Sequence, residues 1–189
     1  MLNYLNSKEI MTHQELANSV YNACHLTGQF LLRSGQTSTE YFDKYRLESN
    51  PELLFQIAYK MKDFIPKETE ILAGLEMGGL PVATALSLLT GLPVCFVRKE
   101  AKKYGTCQFA EGIEISGKKL CIVEDVITSG GQVILSTADL RNQGAVIDSV
   151  LCIINRGGDE ASAKLKGNNL NLLSLFTRGD FPKYGKDQF

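Results

Sequence analysis

Several signals that would assign the chain to a particular class are absent from its sequence. No apolar run approaches the ~20 residues that a membrane-spanning helix needs. The opening MLNYLNSKEI lacks the basic and then apolar pattern of a secretion signal. The net charge of −1 predicts no strong attraction to nucleic acid or to a membrane surface. We therefore expect a cytoplasmic protein that binds neither.

The cysteines also lack a recognisable pattern. The five of them are scattered and have no CxxC spacing, which argues against a zinc site and favours a reducing compartment. Those in apolar runs are predicted to be core residues: Cys95, Cys121 and Cys152. No internal repeat is present, and 189 residues are enough for one domain with a sizeable core.

The stretch that organises the prediction is residues 120–133, LCIVEDVITSGGQV. An apolar, β-branched run at 120–123 is typical of a buried strand, and a helical pattern follows over 132–142. Between them lies a loop of small hydroxyl residues and glycines. Free backbone N–H groups at a helix N-terminus, together with the positive end of the helix dipole, form a phosphate site. The lysine of a Walker loop and the GxGxxG pattern are both absent, so neither an ATPase-type nor a dinucleotide loop is indicated.

Two carboxylates, Glu124 and Asp125, separate this strand from the loop. They would repel a phosphate, and ionised carboxylates only accept hydrogen bonds, so two vicinal sugar hydroxyls are suitable partners. A ribose 5-phosphate fits both halves of the stretch. The alternative is a charged turn between a strand and a helix.

The sequence VEDVITSG within this stretch resembles the phosphoribosyl diphosphate (PRPP) signature of type I phosphoribosyltransferases. With the segments below, the chain resembles the orotate phosphoribosyltransferase family over roughly residues 28–177. The resemblance implies an α/β type I phosphoribosyltransferase fold, with a mainly parallel twisted sheet flanked by helices and a small N-terminal hood. The polar, aromatic segment at residues 35–49 is similar to that hood, which covers the base pocket.

The resemblance also implies an activity, a cofactor and partners. The 5-phosphoribosyl group of PRPP would pass to orotate, which gives orotidine 5-monophosphate and diphosphate on the route to UMP. Mg²⁺ would be the cofactor, held mainly by substrate and water rather than by metal ligands of the protein. The expected partners are PRPP, orotate and a second copy of the chain, in a homodimer with shared active sites.

Site residues follow from the same resemblance. The catalytic positions are Lys102, Glu124 and Asp125. The PRPP-binding positions lie in a basic segment and in the central stretch: Arg98, Lys99, Lys102, Lys103, Tyr104, Glu124, Asp125, Val126, Ile127, Thr128, Ser129, Gly130, Gly131 and Gln132. The orotate-binding positions are Arg33, Tyr41, Phe42, Thr128 and Arg156. Tyr104 stands where many members have His. Gly78 stands where some members have Lys, so other cations of this chain must bind the diphosphate instead.

The order of predicted elements supports this fold. The predicted strands are residues 71–75, 94–97, 112–116, 120–123, 145–154 and 170–175. The predicted helices are about 12–32, which starts with a capping box, then 51–62, 80–89, 132–142 and 162–166. Strands and helices that alternate predict a parallel sheet whose loops converge at the carboxyl ends of the strands. Within one domain we expect an N-terminal helix and hood at about 1–50, a core at about 51–178 and a poorly ordered tail at 179–189.

Two other functions remain open at this level. A type I transferase for another base would differ at Arg33, at residues 41–45 and at Arg156. A regulator that binds PRPP without catalysis could discard the basic segment RKEAKKYG, which is intact here. We expect the segment at 98–107 to be mobile without ligand, because it has little apolar content to offset its ordering entropy.

Overall fold

The computed structural model of the chain describes residues 9–32, 35–100 and 109–181. Helix α1, His13–Cys24, begins with the predicted capping box: the Thr12 side chain accepts from the Glu15 backbone N–H, and the Thr12 N–H donates to the Glu15 carboxylate. The prediction that this helix continues to about residue 32 is wrong. From His25 the chain forms strand β1, His25–Leu31, which pairs antiparallel with β2, Thr37–Phe42.

The physical reason for this early helix end lies in the sequence of β1. It reads HLTGQFL, in which a threonine and a glycine are weak helix formers. Strand β2 supplies a partner for the backbone hydrogen bonds of β1, with His25 opposite Phe42 and Leu31 opposite Thr37. The segment at residues 35–49 that resembles the hood therefore contributes strand β2 to a hairpin, and the first strand of that hairpin comes from the predicted helix.

Two helices follow the hairpin. They are α2, Tyr45–Glu48, and α3, Pro51–Met61, the latter followed by a 3₁₀ turn at Lys62–Phe64. The Asn50 side chain caps α3 by accepting from the backbone N–H groups of Glu52 and Leu53. Pro51 occupies the first turn, where its missing N–H has no intrahelical partner to lose. This start agrees with the sequence prediction.

A six-stranded sheet forms the centre of the molecule. Its strands are β3 Ile71–Leu75, β4 Val94–Val97, β5 Ala110–Glu111, β6 Lys119–Ile127, β7 Val146–Asn155 and β8 Asn171–Thr177. Their order is β5-β4-β3-β6-β7-β8. All neighbours are parallel except β4 and β5, which are antiparallel. The predicted mainly parallel sheet is confirmed.

Helices cover both faces of this sheet. Those of the sheet region are α4 Gly79–Thr90, α5 Gly131–Asn142 and α6 Gly158–Lys166, and a final 3₁₀ turn is Arg178–Asp180. One core cluster joins α1, α3 and α4 to one face, and a second joins α5 and α6 to the other. Strand β6 contributes Val123 to the first cluster and Ile122 to the second, as expected when successive side chains point to opposite faces.

Two strand predictions need correction. Residues 112–116 are not a strand, because Gly112 turns the chain with a φ of 104° immediately after β5. The central strand does not end at residue 123, because β6 pairs with β7 as far as Ile127 opposite Asn155. Glu124 and Asp125 therefore lie inside β6 and not in the loop that follows it.

Two further observations concern composition. The cysteines predicted to be core residues, Cys95, Cys121 and Cys152, are buried, and so is Cys24. All four are free thiols. Within the described ranges, no helix is both long and apolar enough to cross a bilayer.

Candidate active site

The acidic end of β6 lies at the centre of the site. Asp125 is fully buried; its Oδ1 accepts from the Val126 N–H at 2.6 Å, and its Oδ2 lies 2.5 Å from Nζ of Lys44. Burial raises the pKa of Glu124 to about 8, and the charge of Asp125 adds to this, while Lys44 opposes it. Oε2 of Glu124 is buried and has no hydrogen-bond partner among the described residues. That oxygen can accept a hydrogen bond from a hydroxyl group of a bound ligand or from a water molecule.

The glycine loop after β3 packs directly on this acidic end. A Cβ atom on Gly78 would lie 2.0 Å from Oδ2 of Asp125, and one on Gly79 would lie 2.2 Å from the Val123 carbonyl oxygen. Both positions therefore require glycine. The structure thus places the glycine loop after β3 directly against the acidic residues of the stretch at 120–133.

The loop between β6 and α5 provides the candidate phosphate site. Gly130 adopts a left-handed conformation, with a φ of 69°, at the start of α5. Thr128 and Ser129 are exposed, and the Ser129 hydroxyl accepts from the Gly131 N–H at 3.4 Å. These exposed hydroxyls, which can still donate, and the helix N-terminus suit an anion.

The remaining residues of this stretch differ in their exposure. The Ile127 side chain is buried in the core, so only its backbone is available to a ligand. Val126 is partly buried and packs against the first core cluster. Gln132 is exposed and donates to the Ser136 hydroxyl at 3.2 Å.

The loop after β7 is fastened to the phosphate loop. The N–H groups of Arg156 and Gly157 donate to the same Ile127 carbonyl, at 2.8 and 3.1 Å. A Cβ on Gly157 would lie 1.8 Å from the carbonyl oxygen of Thr128. The candidate base-binding arginine is therefore held next to the candidate phosphate site by the main chain.

Charged and polar groups of the hood and of the turn after the last strand influence Arg156. Burial lowers the pKa of Arg156, as does the charge of Arg178, whereas Tyr41 opposes both. Tyr41 is 43% exposed and stacks on Phe30, with ring centroids 5.4 Å apart. Arg178 was missed by the sequence prediction, although it follows the last strand at the same edge of the sheet.

Phe42, the second predicted base contact in the hood, has a different environment. It packs against the first core cluster and lies edge-on to Phe181, with ring centroids 6.3 Å apart. Of the two predicted base contacts in the hood, the Tyr41 ring is therefore exposed and the Phe42 ring packs on the core.

The described part of the basic segment is tied to the glycine loop. The Lys99 N–H donates to the Glu76 carboxylate at 3.0 Å, and Nε of Arg98 lies 3.1 Å from the Glu111 carboxylate. Beside them is a cavity of about 320 Å³ lined by Glu76, Leu80, Phe96, Val97, Arg98 and Glu111. The other predicted positions, Arg33, Lys102, Lys103 and Tyr104, lie outside the described residues.

Together, these segments leave the carboxyl ends of β3, β4, β6 and β7, where open α/β sheets bind their ligands. In the residues that the structure describes, no group of three His, Cys, Asp or Glu side chains could hold a metal ion. The arrangement offers an anion site, a pair of carboxylates and a partly buried arginine along one edge.

Such an edge, on a sheet of this topology, defines a phosphoribosyltransferase. The phosphoribosyl transferase domain family matches residues 45–168, which is most of the chain. More specifically, the chain belongs to the orotate phosphoribosyltransferase family. It is 52% identical over 141 residues to the orotate phosphoribosyltransferase of Nocardioides sp., covering 75% of this chain and 79% of that protein.

Two further relatives agree with this assignment. The orotate phosphoribosyltransferase of Methanocaldococcus jannaschii is 36% identical over 154 residues, covering 82% of this chain and 87% of that protein. The crystal structure of the Mycobacterium tuberculosis orotate phosphoribosyltransferase is similar with a TM-score of 0.79 at 26% identity. That similarity covers 89% of this chain and 97% of the other.

Proposed function

We propose that the protein transfers the 5-phosphoribosyl group of PRPP to N1 of orotate, which yields orotidine 5-monophosphate and diphosphate. One observation carries the proposal beyond family membership: the loop of Arg156 and the loop of Thr128 share the Ile127 carbonyl. A base and a 5-phosphate bound at these loops would lie side by side, as in the proposed product.

The 5-phosphate binds at the start of α5. There Thr128 and Ser129 add hydroxyl donors to the N–H groups of the helix N-terminus. Gly130 allows the backbone to approach the phosphate closely. Gly131 and Gln132 continue the same turn, with Val126 and Ile127 supporting it from the strand.

The ribose lies between this loop and the glycine loop at Gly78. Glu124 and Asp125 accept hydrogen bonds from the 2- and 3-hydroxyls. Asp125 also stabilises positive charge as it develops at C1, and Glu124 adds to this when it is ionised, since burial raises its pKa to about 8. As the bond from C1 to the diphosphate oxygen breaks, its electron pair leaves with the diphosphate, and N1 of orotate forms the new bond to C1. The proton on N1 of orotate passes to the departing diphosphate or to water as the new bond forms, so no general base of the protein is needed.

The base is recognised by the guanidinium of Arg156, whose planar fork suits a carboxylate or carbonyl group. Tyr41 supports this pocket from the hood, together with Phe42, Thr128 and Arg33. Burial lowers the pKa of Arg156, but an arginine stays protonated at neutral pH, so its charge is available to the orotate carboxylate.

The leaving diphosphate needs cations. Arg98 and Lys99 begin the basic segment beside the glycine loop. Lys102, Lys103 and Tyr104 follow in the sequence, and we assign the catalytic role among them to Lys102. A Mg²⁺ ion, bound mainly through substrate oxygens and water, would supply further positive charge to the leaving group. The unpartnered Glu124 oxygen fits a water of such an ion. We also propose a cytoplasmic homodimer in which the basic segment of one subunit closes over the crevice of the other.

The test is diphosphate release from PRPP with orotate, uracil, hypoxanthine or adenine as the acceptor. Of the four acceptors, we expect only orotate to support diphosphate release. An Arg156→Ala variant should lose that release while it still binds PRPP. Diphosphate release with a purine and not with orotate would show that the acceptor is a purine instead of orotate. PRPP binding without release for any base would instead indicate a regulator.

A further inference from the structure

Two residues of the hood lie one helical turn apart next to Asp125: Lys44 forms an ion pair with it, and the buried Glu48 carboxyl interacts with it electrostatically. Lys44 precedes α2 and already has helical backbone angles, φ −61° and ψ −28°, and Glu48 ends that helix. Residues four apart share one side of a helix. The side shared by Lys44 and Glu48 faces the acidic end of β6.

The first contact is an ion pair. Nζ of Lys44 lies 2.5 Å from Oδ2 of Asp125, and the Lys44 side chain is 33% exposed, so it reaches from the open crevice to a buried carboxylate. Burial by itself lowers the pKa of Lys44, but the hydrogen bond and charge of Asp125 more than offset this, so the pKa is raised. Lys44 is therefore charged at neutral pH.

The second neighbour of Asp125 is the buried carboxyl group of Glu48. Burial raises the pKa of Glu48 to about 9, and the neighbouring Asp125 raises it further. Lys44 lowers this pKa, and the charge of Glu124 raises it. Cys24 of α1 also faces Glu48. A carboxyl group that stays neutral can donate its proton to Asp125.

The glycine loop excludes a competing contact. Because a Cβ on Gly78 would overlap Oδ2 of Asp125, no side chain at position 78 can reach that carboxylate. Among the described residues, the side chains that interact with Asp125 Oδ2 therefore come from the hood. The other oxygen of Asp125, Oδ1, accepts from the Val126 N–H. Tyr41, of the proposed base pocket, lies three positions before Lys44 in the same segment.

We propose that Lys44 and Glu48 are positioning residues that fix the Asp125 carboxylate for the ribose of PRPP. Through them the hood, which covers the base, also orders the ribose site. This inference rests on the proposed function, since it takes the ribose of PRPP as the group that Asp125 receives.

The test uses paired variants of both residues. Lys44→Met removes the ammonium and Glu48→Leu removes the donor, whereas Glu48→Gln retains a donor. Exposed neighbours in the loop before β3 provide matched controls, Lys67→Met and Glu68→Gln. PRPP binding is measured by calorimetry without orotate, and turnover is measured separately.

We expect Lys44→Met and Glu48→Leu each to weaken PRPP binding about tenfold or more, the usual effect of losing a charge-assisted hydrogen bond. The Michaelis constant for orotate should change much less. Glu48→Gln should bind PRPP normally at neutral pH. We expect PRPP binding by the native protein to weaken at alkaline pH, where Glu48 ionises and stops donating, and Glu48→Gln should lack this weakening.

Normal PRPP binding in both Lys44→Met and Glu48→Leu would overturn the inference. So would equal loss in Glu48→Gln and Glu48→Leu with no difference in their pH profiles, since that pattern means Glu48 only fills space. A native protein that binds PRPP but releases no diphosphate would instead contradict the proposed function, and the binding comparison would still decide the role of the two residues.

Discussion

Replacing Gly157 by alanine tests how closely the base and phosphate loops must approach. The backbone at Gly157, φ −79° and ψ −7°, is open to any residue, so the substitution introduces no conformational strain. The added Cβ, however, would lie 1.8 Å from the Thr128 carbonyl oxygen and 2.5 Å from Cβ of Ala161. The two loops must separate by about 1.5 Å before these atoms reach ordinary contact.

The effect should appear in both stability and activity. Overpacking of this kind costs about 1–3 kcal/mol. For a chain of this size, we expect the melting temperature to fall by roughly 3–10 °C. A displacement of about 1 Å between the base and the ribose phosphate can lower turnover by about 100-fold. Differential scanning fluorimetry and diphosphate release with orotate measure the two effects.

Gly167→Ala is the matched control. Its Cβ would meet only the carbonyl oxygens of Ala163 and Lys164, both at an ordinary 3.5 Å, and its φ of −61° is suited to alanine. That variant should be as stable as the native protein or more stable by about 0.4–1 kcal/mol, because alanine restricts the unfolded chain. Native melting temperature and turnover in Gly157→Ala would refute the close packing of the two loops.

Four further outcomes are expected. The double variant Glu124→Gln with Asp125→Asn should fold but bind PRPP about tenfold or more weakly; unchanged kinetics would contradict the ribose assignment. Arg156→Ala should raise the Michaelis constant for orotate far more than that for PRPP, and equal effects would argue against a base contact. Lys102→Ala and Asp125→Asn, each nearly inactive alone, should recover about a quarter of the native sites when mixed as exchanging dimers; exchange without recovery would argue against shared sites. Burial raises the pKa of Glu124 from 4.5 to about 8. The free energy of unfolding should therefore decrease as pH rises from about 4.5 to about 8, by at most ~1.4 kcal/mol per pH unit. A Glu124→Gln variant whose free energy of unfolding has the same pH slope would contradict this.

The sequence predicts elements best where pattern and turn chemistry agree. Strands β3 and β4 have the predicted bounds, because each is a short apolar run with clear flanking residues. The end of α1 was missed because β1 forms only by pairing with β2, a contact that local propensity does not contain. The same reason explains β6, which continues through two carboxylates because β7 pairs with it.

The site was predictable to the extent that its residues follow strand ends. Thr128, Ser129 and Arg156 all do, and the structure brings their loops together. Lys44 and Glu48 carry no such signal, because they lie in a polar segment where charged side chains usually face solvent. Their contact with Asp125 depends on how the hood folds back over the sheet, which is tertiary information.

The double hydrogen bond to the Ile127 carbonyl has a consequence for how this enzyme can diversify. The main chain alone sets the span between the two subsites, through one oxygen that accepts from both Arg156 and Gly157. Side chains on either loop can therefore be exchanged without altering that span. Specificity for a different acceptor base could evolve through substitutions at Arg156 or Tyr41, while the proposed 5-phosphate site stays unchanged.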